Sequence, residues 1–200
     1  MATCYQLPSL PDRLATPASK ETQHLALARG DAHALREAYR EHHEAVRAFA
    51  RRLLGSDADA EEIVQEVFVT LPAAVRGFRG DCAFSTFVIS VAVNHARHFM
   101  RAASRRHQAH ARFAEEQRSS EQTTPAADEV RAREELAERL LRAMSELADE
   151  QRLAFVLCDV EDRSSSDAAR ILQVPASTVR SRLAGARDHL RRRLSEELPR

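Results

Sequence analysis

The sequence predicts an all-α protein built from two small helical domains. Only five of its 200 residues are glycine, and the helix-forming residues alanine, leucine, arginine and glutamate are abundant. Apolar residues recur at helical spacing along most of the chain. A hydrophobic fraction of 44% is enough for helical cores, and this length suits one or two small domains.

Composition divides the chain into four parts. Residues 1–23 hold three prolines and show no sustained period, which predicts a flexible N-terminal tail. Residues 24–103 form the first predicted domain. Residues 104–128 are polar and offer almost nothing to bury, so they predict a flexible linker. Helical periodicity then resumes over residues 129–196, the second predicted domain.

One helix of the first domain carries an acidic surface. Gly55, Ser56 and Asp57 predict the end of one helix and the cap of the next. The apolar residues that follow repeat on one stripe, so the acids lie on the opposite side, towards solvent. Pro72 lacks a backbone donor and predicts a kink or a restart of this helix. The acidic residues are Asp57, Asp59, Glu61, Glu62 and Glu66.

The next helix carries a polar face of a different kind. A turn-like segment, residues 78–81, precedes it. Its aromatic residues Phe84, Phe87 and Phe99 are predicted to belong to the core rather than to a stacking platform. An acidic surface and an amide-and-arginine surface in one unit suit a protein that bridges a basic partner and a nucleic acid. The polar face consists of Ser90, Asn94, Arg97 and Arg101.

The last two helices have the spacing of a helix-turn-helix. Ser165 or Ser166 is predicted to cap a short helix, and residues 173–175 form the turn. Ala169 is small enough for two helices to cross closely, and Val179 closes the corner between them. In this motif the first turns of the second helix reach base edges in the major groove, and flanking arginines hold phosphates.

The charges are segregated along the chain although the formal net charge is zero. The start of the acidic helix carries no basic residue, whereas residues 180–193 hold six arginines against one aspartate. Lys20 is the only lysine, so nearly all positive charge is guanidinium, which pairs bidentately with phosphate and base edges.

Several classes of protein are disfavoured by the same sequence. Three isolated cysteines predict a reducing cytoplasmic location, and no apolar run is long enough for membrane insertion. The histidines lack the paired cysteines and enclosing carboxylates of a metal site. No glycine-rich phosphate loop or catalytic constellation is evident. We therefore expect no metal, no cofactor and no enzymatic activity.

Three motifs in the first domain and one in the second resemble a known family. The segments DAEEIVQEVF, FRGDCAFSTF and AVNHARHFMR, followed by a polar linker and VPASTVRSRLAGAR, are similar to an extracytoplasmic-function sigma factor of bacterial RNA polymerase. The similarity covers about residues 24–103 and 129–195. It implies two helical domains, the sigma region 2 bundle and the region 4 helix-turn-helix.

The resemblance implies a role for each surface. The acidic helix would bind the β′ clamp helices of core polymerase through Asp59, Glu62, Gln65 and Glu66. Region 2 would read and melt the −10 element through Phe78, Arg79, Asn94, Arg97 and Arg101. Region 4 would rest on the β flap and read the −35 element through Ser177, Thr178, Arg180, Ser181, Arg182 and Arg187. The resemblance also implies an anti-sigma factor as a further partner.

The chain departs from the family pattern at three places. Pro72 stands where an aromatic residue is common, and Phe87 stands where many members have tryptophan. Ala184 and Gly185 replace larger or basic residues, so −35 contacts from those two positions are not expected.

Two other classes of function stay open on the residues alone. A stand-alone dimeric repressor or activator would use the helix-turn-helix as its only DNA contact and would not bind core polymerase. A nucleic-acid-processing metalloenzyme would bind zinc through the histidines.

Overall fold

The computed structural model describes residues 24–111, 136 and 139–197, and every regular element in these ranges is helical. The predicted all-α class is confirmed. The predicted tail, residues 1–23, lies outside the described residues, and so do residues 112–128 of the predicted linker. None of the helices in the described ranges is long and apolar enough to cross a membrane.

The first half of the structure contains three long helices. Residues 24–28 are helical and lead into helix α1, Ala32–Leu54; α2 follows as Asp57–Ala74 and α3 as Phe84–Ala111. A 3-10 turn, Val75–Gly77, ends α2. Asp31 caps α1, because its carboxylate accepts a hydrogen bond of 2.8 Å from the backbone N–H of Ala34.

The boundary between α1 and α2 follows the sequence prediction. Gly55 adopts a left-handed backbone, with a φ of 76°, and its N–H donates to the Arg51 carbonyl at 2.8 Å. Ser56 then caps α2 by accepting from the Asp59 N–H at 3.2 Å. The helix passes through Pro72 and ends at Ala74, so the predicted restart at the proline does not occur. Pro72 lies in the last turn, and the one backbone bond that it cannot donate, to the Phe68 carbonyl, is lost near the end of the helix.

Helix α3 is longer than the predicted first domain. It continues to Ala111, past the boundary at residue 103. The extension contains arginine, alanine, histidine and glutamine with no glycine or proline, so no residue in it breaks the helix.

The core of the first half lies where the three helices meet. It is formed by the apolar stripes of the helices, which the sequence period placed inward. Phe84, Phe87 and Phe99 are half-buried and pack against this core, as predicted. The fully buried side chains include Val46, Phe49, Ile63, Val64, Val67, Leu71 and Val88.

The described residues 139–197 of the second half hold four helical segments and a π turn. Residues 139–145 are helical, α4 is Asp149–Phe155, and a π-helical segment, Val156–Val160, extends it. Helix α5 is Ser165–Leu172 and α6 is Ala176–Glu197. The cap of α5 is Ser164, whose hydroxyl accepts from the Asp167 N–H at 3.1 Å, and not Ser165 or Ser166 as the sequence predicted. Both predicted serines already have helical positions, so Ser164 is the last extended residue.

Helices α5 and α6 form the predicted helix-turn-helix. Gln173 ends α5 in a left-handed conformation, with a φ of 57°, and the Val174 N–H donates to the Ala169 carbonyl at 3.1 Å. Val179 is fully buried at the corner, as predicted. The fully buried alanine is Ala168, whereas the predicted Ala169 is half-buried. Apolar residues at the corner let the second helix cross close to the first.

One buried histidine predicts a pH dependence of stability. Burial lowers the pKa of His42 below its ordinary value of 6.5, and Glu41 offsets this only in part. The unfolded chain therefore binds more protons than the folded chain as the pH falls from 6.5 towards the folded pKa. We expect the free energy of unfolding to be highest above pH 6.5 and to decrease below it.

Denaturant unfolding of His42→Gln at several pH values would test this expectation. The slope of stability against pH should be smaller than in the natural protein. His98→Gln is the matched control, because His98 is exposed. An unchanged slope in His42→Gln would contradict the prediction.

Candidate functional site

Most of the acidic face of α2 is open to solvent. Glu62, Gln65 and Glu66 are exposed, and Asp59 is half-buried beside the cap of the helix. The opposite stripe of the helix is fully packed in the core. Because a rigid helix carries these groups, their spacing is held constant for a partner.

An exposed apolar residue continues this face. Val69 is 76% exposed, the largest value among the exposed large hydrophobic residues of the described chain. It follows Glu62 and Glu66 at helical spacing of seven and three residues, so all three lie on one side of α2. Val69 is not among the residues predicted for this surface, although its position outside the apolar stripe signals exposure.

His95 of α3 contacts two residues of α2 beside the acidic face. The Thr70 hydroxyl and Nε2 of His95 share a hydrogen bond of 2.8 Å, and Nδ1 of His95 lies 4.0 Å from the Glu66 carboxylate. Burial lowers the pKa of His95, while Glu66 partly opposes this effect. The contact fixes the position of α2 relative to the polar face of α3.

The polar face of α3 is only partly open. Asn94 and Arg101 are exposed, as is Arg79 in the turn before the helix. Arg97, predicted on the same face, is half-buried against the second half of the chain. Asn94 and Arg101 are therefore open to solvent, whereas the Arg97 side chain between them is engaged by the second half.

Phe78 lies in an aromatic cluster at the start of α3. Its ring centroid is 4.9 Å from that of Phe87 and 5.0 Å from that of His24, which meets it edge-on. His24 also stacks on Phe84 at 4.3 Å. The Phe78 ring is half-buried, so part of it is available beside the exposed Arg79.

The outward face of α6 is polar in its first turns and again at Arg187. Ser177, Arg180 and Ser181 are exposed in its first turns, whereas Thr178 is half-buried. Ala184 continues the exposed strip without a polar group. Arg187 is exposed one turn later and forms a bidentate ion pair with Asp159 at 2.6 and 2.8 Å.

Arg182 points away from this strip and meets Arg97 at a shared carboxylate. Glu150, in the first turn of α4, accepts from Arg97 Nε at 2.8 Å and from Arg97 Nη2 at 3.0 Å. Arg182 Nη1 donates to the same carboxylate at 2.7 Å. Arg97 Nη2 also donates to the Leu172 carbonyl at 3.3 Å, at the end of α5. Glu150 is not among the functional residues predicted from the sequence.

The charge of Glu150 is stabilised by its two partners. Burial raises the pKa of the Glu150 carboxyl, but the hydrogen bond and charge of Arg97, together with Arg182 and Arg101, lower it by more. The net effect is a pKa below the ordinary value, so the group is a carboxylate at neutral pH.

The described residues include no group of three or more histidine, cysteine, aspartate or glutamate side chains placed to hold a metal ion. The surfaces present carboxylate, amide, hydroxyl and guanidinium groups on rigid helices. Such groups recognise macromolecular partners by charge and hydrogen bonding.

Comparison with known proteins places both halves of the chain in one family. Family models of Sigma-70 region 2 and Sigma-70 region 4 match residues 38–106 and 137–190. The ECF RNA polymerase sigma factor SigM of Mycobacterium tuberculosis is 32% identical over 165 residues, which cover 82% of this chain and 79% of that protein. The chain belongs to the extracytoplasmic-function sigma factors. Our chain is also 31% identical over 137 residues to the ECF RNA polymerase sigma-E factor of Escherichia coli. These residues cover 65% of our chain and 71% of the Escherichia coli protein.

Two solved structures share the fold of the sigma factor. One is the sigma factor RpoE of Bartonella quintana in complex with the anti-sigma factor NepR. It is 21% identical, the match covers 92% of our chain and 100% of that chain, and the TM-score is 0.56. The other is CnrH in complex with the cytosolic domain of CnrY. It is 20% identical, the match covers 90% of our chain and 99% of that chain, and the TM-score is 0.61.

The family decides between the functions that the sequence left open. As a sigma factor, the protein is a transcription initiation factor whose two domains bind RNA polymerase and promoter DNA. The predicted membership is confirmed. The family is one of non-catalytic transcription factors. A stand-alone dimeric repressor or activator is therefore not the function.

Proposed function

We propose that the sigma factor uses three separate surfaces to bind core polymerase, the −10 element and the −35 element. The acidic face of α2 binds the β′ clamp helices through Asp59, Glu62, Gln65 and Glu66. The polar face of α3 and the turn before it read the −10 element, and α6 reads the −35 element. The main support is that α2 and the first turns of α6 expose polar side chains opposite buried ones, and that α3 exposes Asn94 and Arg101 opposite its buried residues.

Reading of the −10 element is assigned to Phe78, Arg79, Asn94, Arg97 and Arg101. A base taken out of the duplex needs hydrogen-bond and stacking partners to offset an unstacking cost on the order of a few kcal/mol. The exposed Asn94 amide offers both a donor and an acceptor to a base edge. Exposed Arg79 and Arg101 flank it with positive charge for the melted strand.

Reading of the −35 element is assigned to Ser177, Thr178, Arg180, Ser181, Arg182 and Arg187, with the second half resting on the β flap. The exposed first turns of α6 have the position from which a recognition helix reaches base edges. Ala184 and Gly185 offer no polar side chain, so contacts from these two positions are not part of the proposal.

Control by an anti-sigma factor is part of the same proposal. The two structural neighbours are both recorded in complexes, one with the anti-sigma factor NepR and one with the cytosolic domain of CnrY. We also assign the protein to the cytoplasm, where core polymerase acts, and give it no catalytic role of its own.

Run-off transcription with sigma-free core polymerase and genomic promoter fragments tests the function. We expect transcripts only when the sigma factor is added. Failure to start RNA at any fragment, with any inhibitor removed, would overturn the proposal.

Replacing Arg180 by alanine tests the −35 reading. Loss of a bidentate arginine contact to a base costs about 1–3 kcal/mol and relaxes selectivity at one position. Binding of holoenzyme to promoters with single −35 substitutions measures both effects. Arg192→Ala, an exposed arginine far from the first turn of α6, is the control and should leave base preference unchanged. Unaltered base preference in Arg180→Ala would remove Arg180 from the reading surface.

A further inference from the structure

The short helical segment before α1, residues 24–28, is anchored firmly in the first half. Its Leu27 side chain is almost fully buried among the core residues. The Gly30 N–H donates to the Leu27 carbonyl at 3.0 Å, and Asp31 directly after it caps α1. Because the cap follows the segment without a break, the segment is held in a fixed position relative to α1.

His24, the first residue of this segment, contacts both ends of the loop that precedes α3. Its imidazole stacks on the Phe84 ring, with centroids 4.3 Å apart, and meets the Phe78 ring edge-on at 5.0 Å. The Phe78 ring also lies 5.5 Å from that of Phe84 and 4.9 Å from that of Phe87. Aromatic contacts of this kind stabilise a pair beyond the burial of its area. His24 therefore holds the Phe78 ring together with two rings of α3.

A second contact joins the same segment to the chain just before Phe78. Arg76, in the 3-10 turn that ends α2, donates from Nε to the Ala28 carbonyl at 3.3 Å. That carbonyl lies at the end of the short helix, where backbone acceptors have no partner within the helix. The segment thus contacts the loop through a hydrogen bond at one point and through the His24 ring at another.

The loop itself is open around Phe78. Gly77 precedes the phenylalanine and Gly80 follows it with a φ of 77°, and a Cβ added at either glycine would meet no heavy atom within 4 Å. Arg79 and Asp81 are exposed. Because glycine leaves the backbone many conformations, contacts from outside the loop are needed to keep the Phe78 ring in one place.

We propose that His24 is a positioning residue for the −10 element, which holds the Phe78 ring where it stacks with a base of the melted strand. The inference rests on the proposed function, which assigns Phe78 to −10 reading. A side chain that is already held in place loses less conformational freedom when the base binds, so the melted state forms at lower cost. His24 lies before residue 38, where the match to Sigma-70 region 2 begins, so the family match gives it no role.

His24→Ala in the full chain, bound to core polymerase, tests this role. His24→Phe is the rescue variant, because a phenyl ring can make the same stacked and edge-on contacts. Leu25→Ala is the matched control, since Leu25 is the next residue of the same short helix and is 59% exposed. The measurements use a promoter fragment that gives a run-off transcript. They are the permanganate reactivity of the −10 thymines, the affinity for core polymerase without DNA, and the base preference at the −35 element.

We expect His24→Ala to reduce melting of the −10 element by about three- to tenfold, the size of change that loss of one or two aromatic contacts gives. Its affinity for core polymerase and its −35 preference should match those of the natural protein, because α2 and α6 are unchanged. His24→Phe should restore melting, and Leu25→Ala should leave it unchanged. Undiminished melting by His24→Ala would overturn the proposal. A parallel loss of core binding would also overturn it, since that is the sign of a general loss of stability.

A double variant shows whether His24 acts through Phe78. If it does, adding His24→Ala to Phe78→Ala causes little further loss of melting, because the ring that His24 positions is already absent. Losses that multiply would overturn the proposal. Arg76→Ala removes the contact to Ala28 and gives a second test if His24→Ala folds poorly. It should also reduce melting, and undiminished melting by Arg76→Ala would then overturn the proposal.

Failure of the positioning role and failure of the proposed −10 reading have different signatures. If Phe78→Ala melts the promoter as well as the natural protein does, Phe78 does not read the −10 element and both proposals fail. Impaired melting by Phe78→Ala with full melting by His24→Ala would overturn the positioning role alone.

Discussion

Reversing Glu62 and Glu66 to arginine is expected to abolish binding of the sigma factor to core polymerase. Both carboxylates are exposed on one side of α2, next to the exposed Val69, and the other side of the helix is packed. Against a basic partner, each reversal replaces an attraction by a repulsion. Coupling energies of close interfacial charge pairs are about 1.5 kcal/mol or more, so the two together should weaken binding by roughly 100-fold or more.

Native gel shift or interferometry with core polymerase measures this loss in the absence of DNA. Glu41→Arg with Glu44→Arg is the matched control, since these are also exposed glutamates on a long helix of the first half. Circular dichroism checks folding, because the reversal removes the Glu66 contact to His95 at 4.0 Å. Undiminished binding by the folded Glu62/Glu66 variant would place the polymerase contact elsewhere.

Replacing Phe49 by alanine is expected to destabilise the first half by about 3–5 kcal/mol, the usual cost of truncating a buried aromatic side chain. Phe49 is fully buried on α1, and the surrounding core has three long helices that cannot close the space freely. Domains of this size have total stabilities of about 5–15 kcal/mol, so much of the stability would be lost.

Denaturant unfolding followed by circular dichroism measures the change. Val69→Ala is the control, because Val69 is largely exposed and its truncation should change stability by no more than about 0.5 kcal/mol. A Phe49→Ala variant as stable as Val69→Ala would show that the core of the first half lies elsewhere.

The helical spacing of apolar residues predicted most of the fold of the first half. The stripe of α2 predicted its buried residues, and Gly55 and Ser56 predicted its start, since these signals are local. Boundaries without a strong breaker were harder to predict. The polar composition of residues 104–111 predicts a linker, but no residue there breaks the helix, and the structure continues α3 through them.

The junction between the halves was beyond prediction from sequence. Arg97 and Glu150 are 53 residues apart in the chain, and no period relates them. Both Arg97 and Arg182 lie on polar faces, where solvent exposure is the ordinary expectation. Their burial depends on how two helical units pack, and that arrangement leaves no local pattern.

The π turn at the end of α4 also fixes the length of the chain there. Its wide turn, in which the Glu161 N–H donates to the Val156 carbonyl at 2.9 Å, orients Asp159 towards Arg187 and Glu161 towards Arg52. Removing one residue before Asp159 would rotate both carboxylates by about 100° around the helix axis. Neither would then meet its arginine, so spacing constrains this segment as strongly as side-chain identity does.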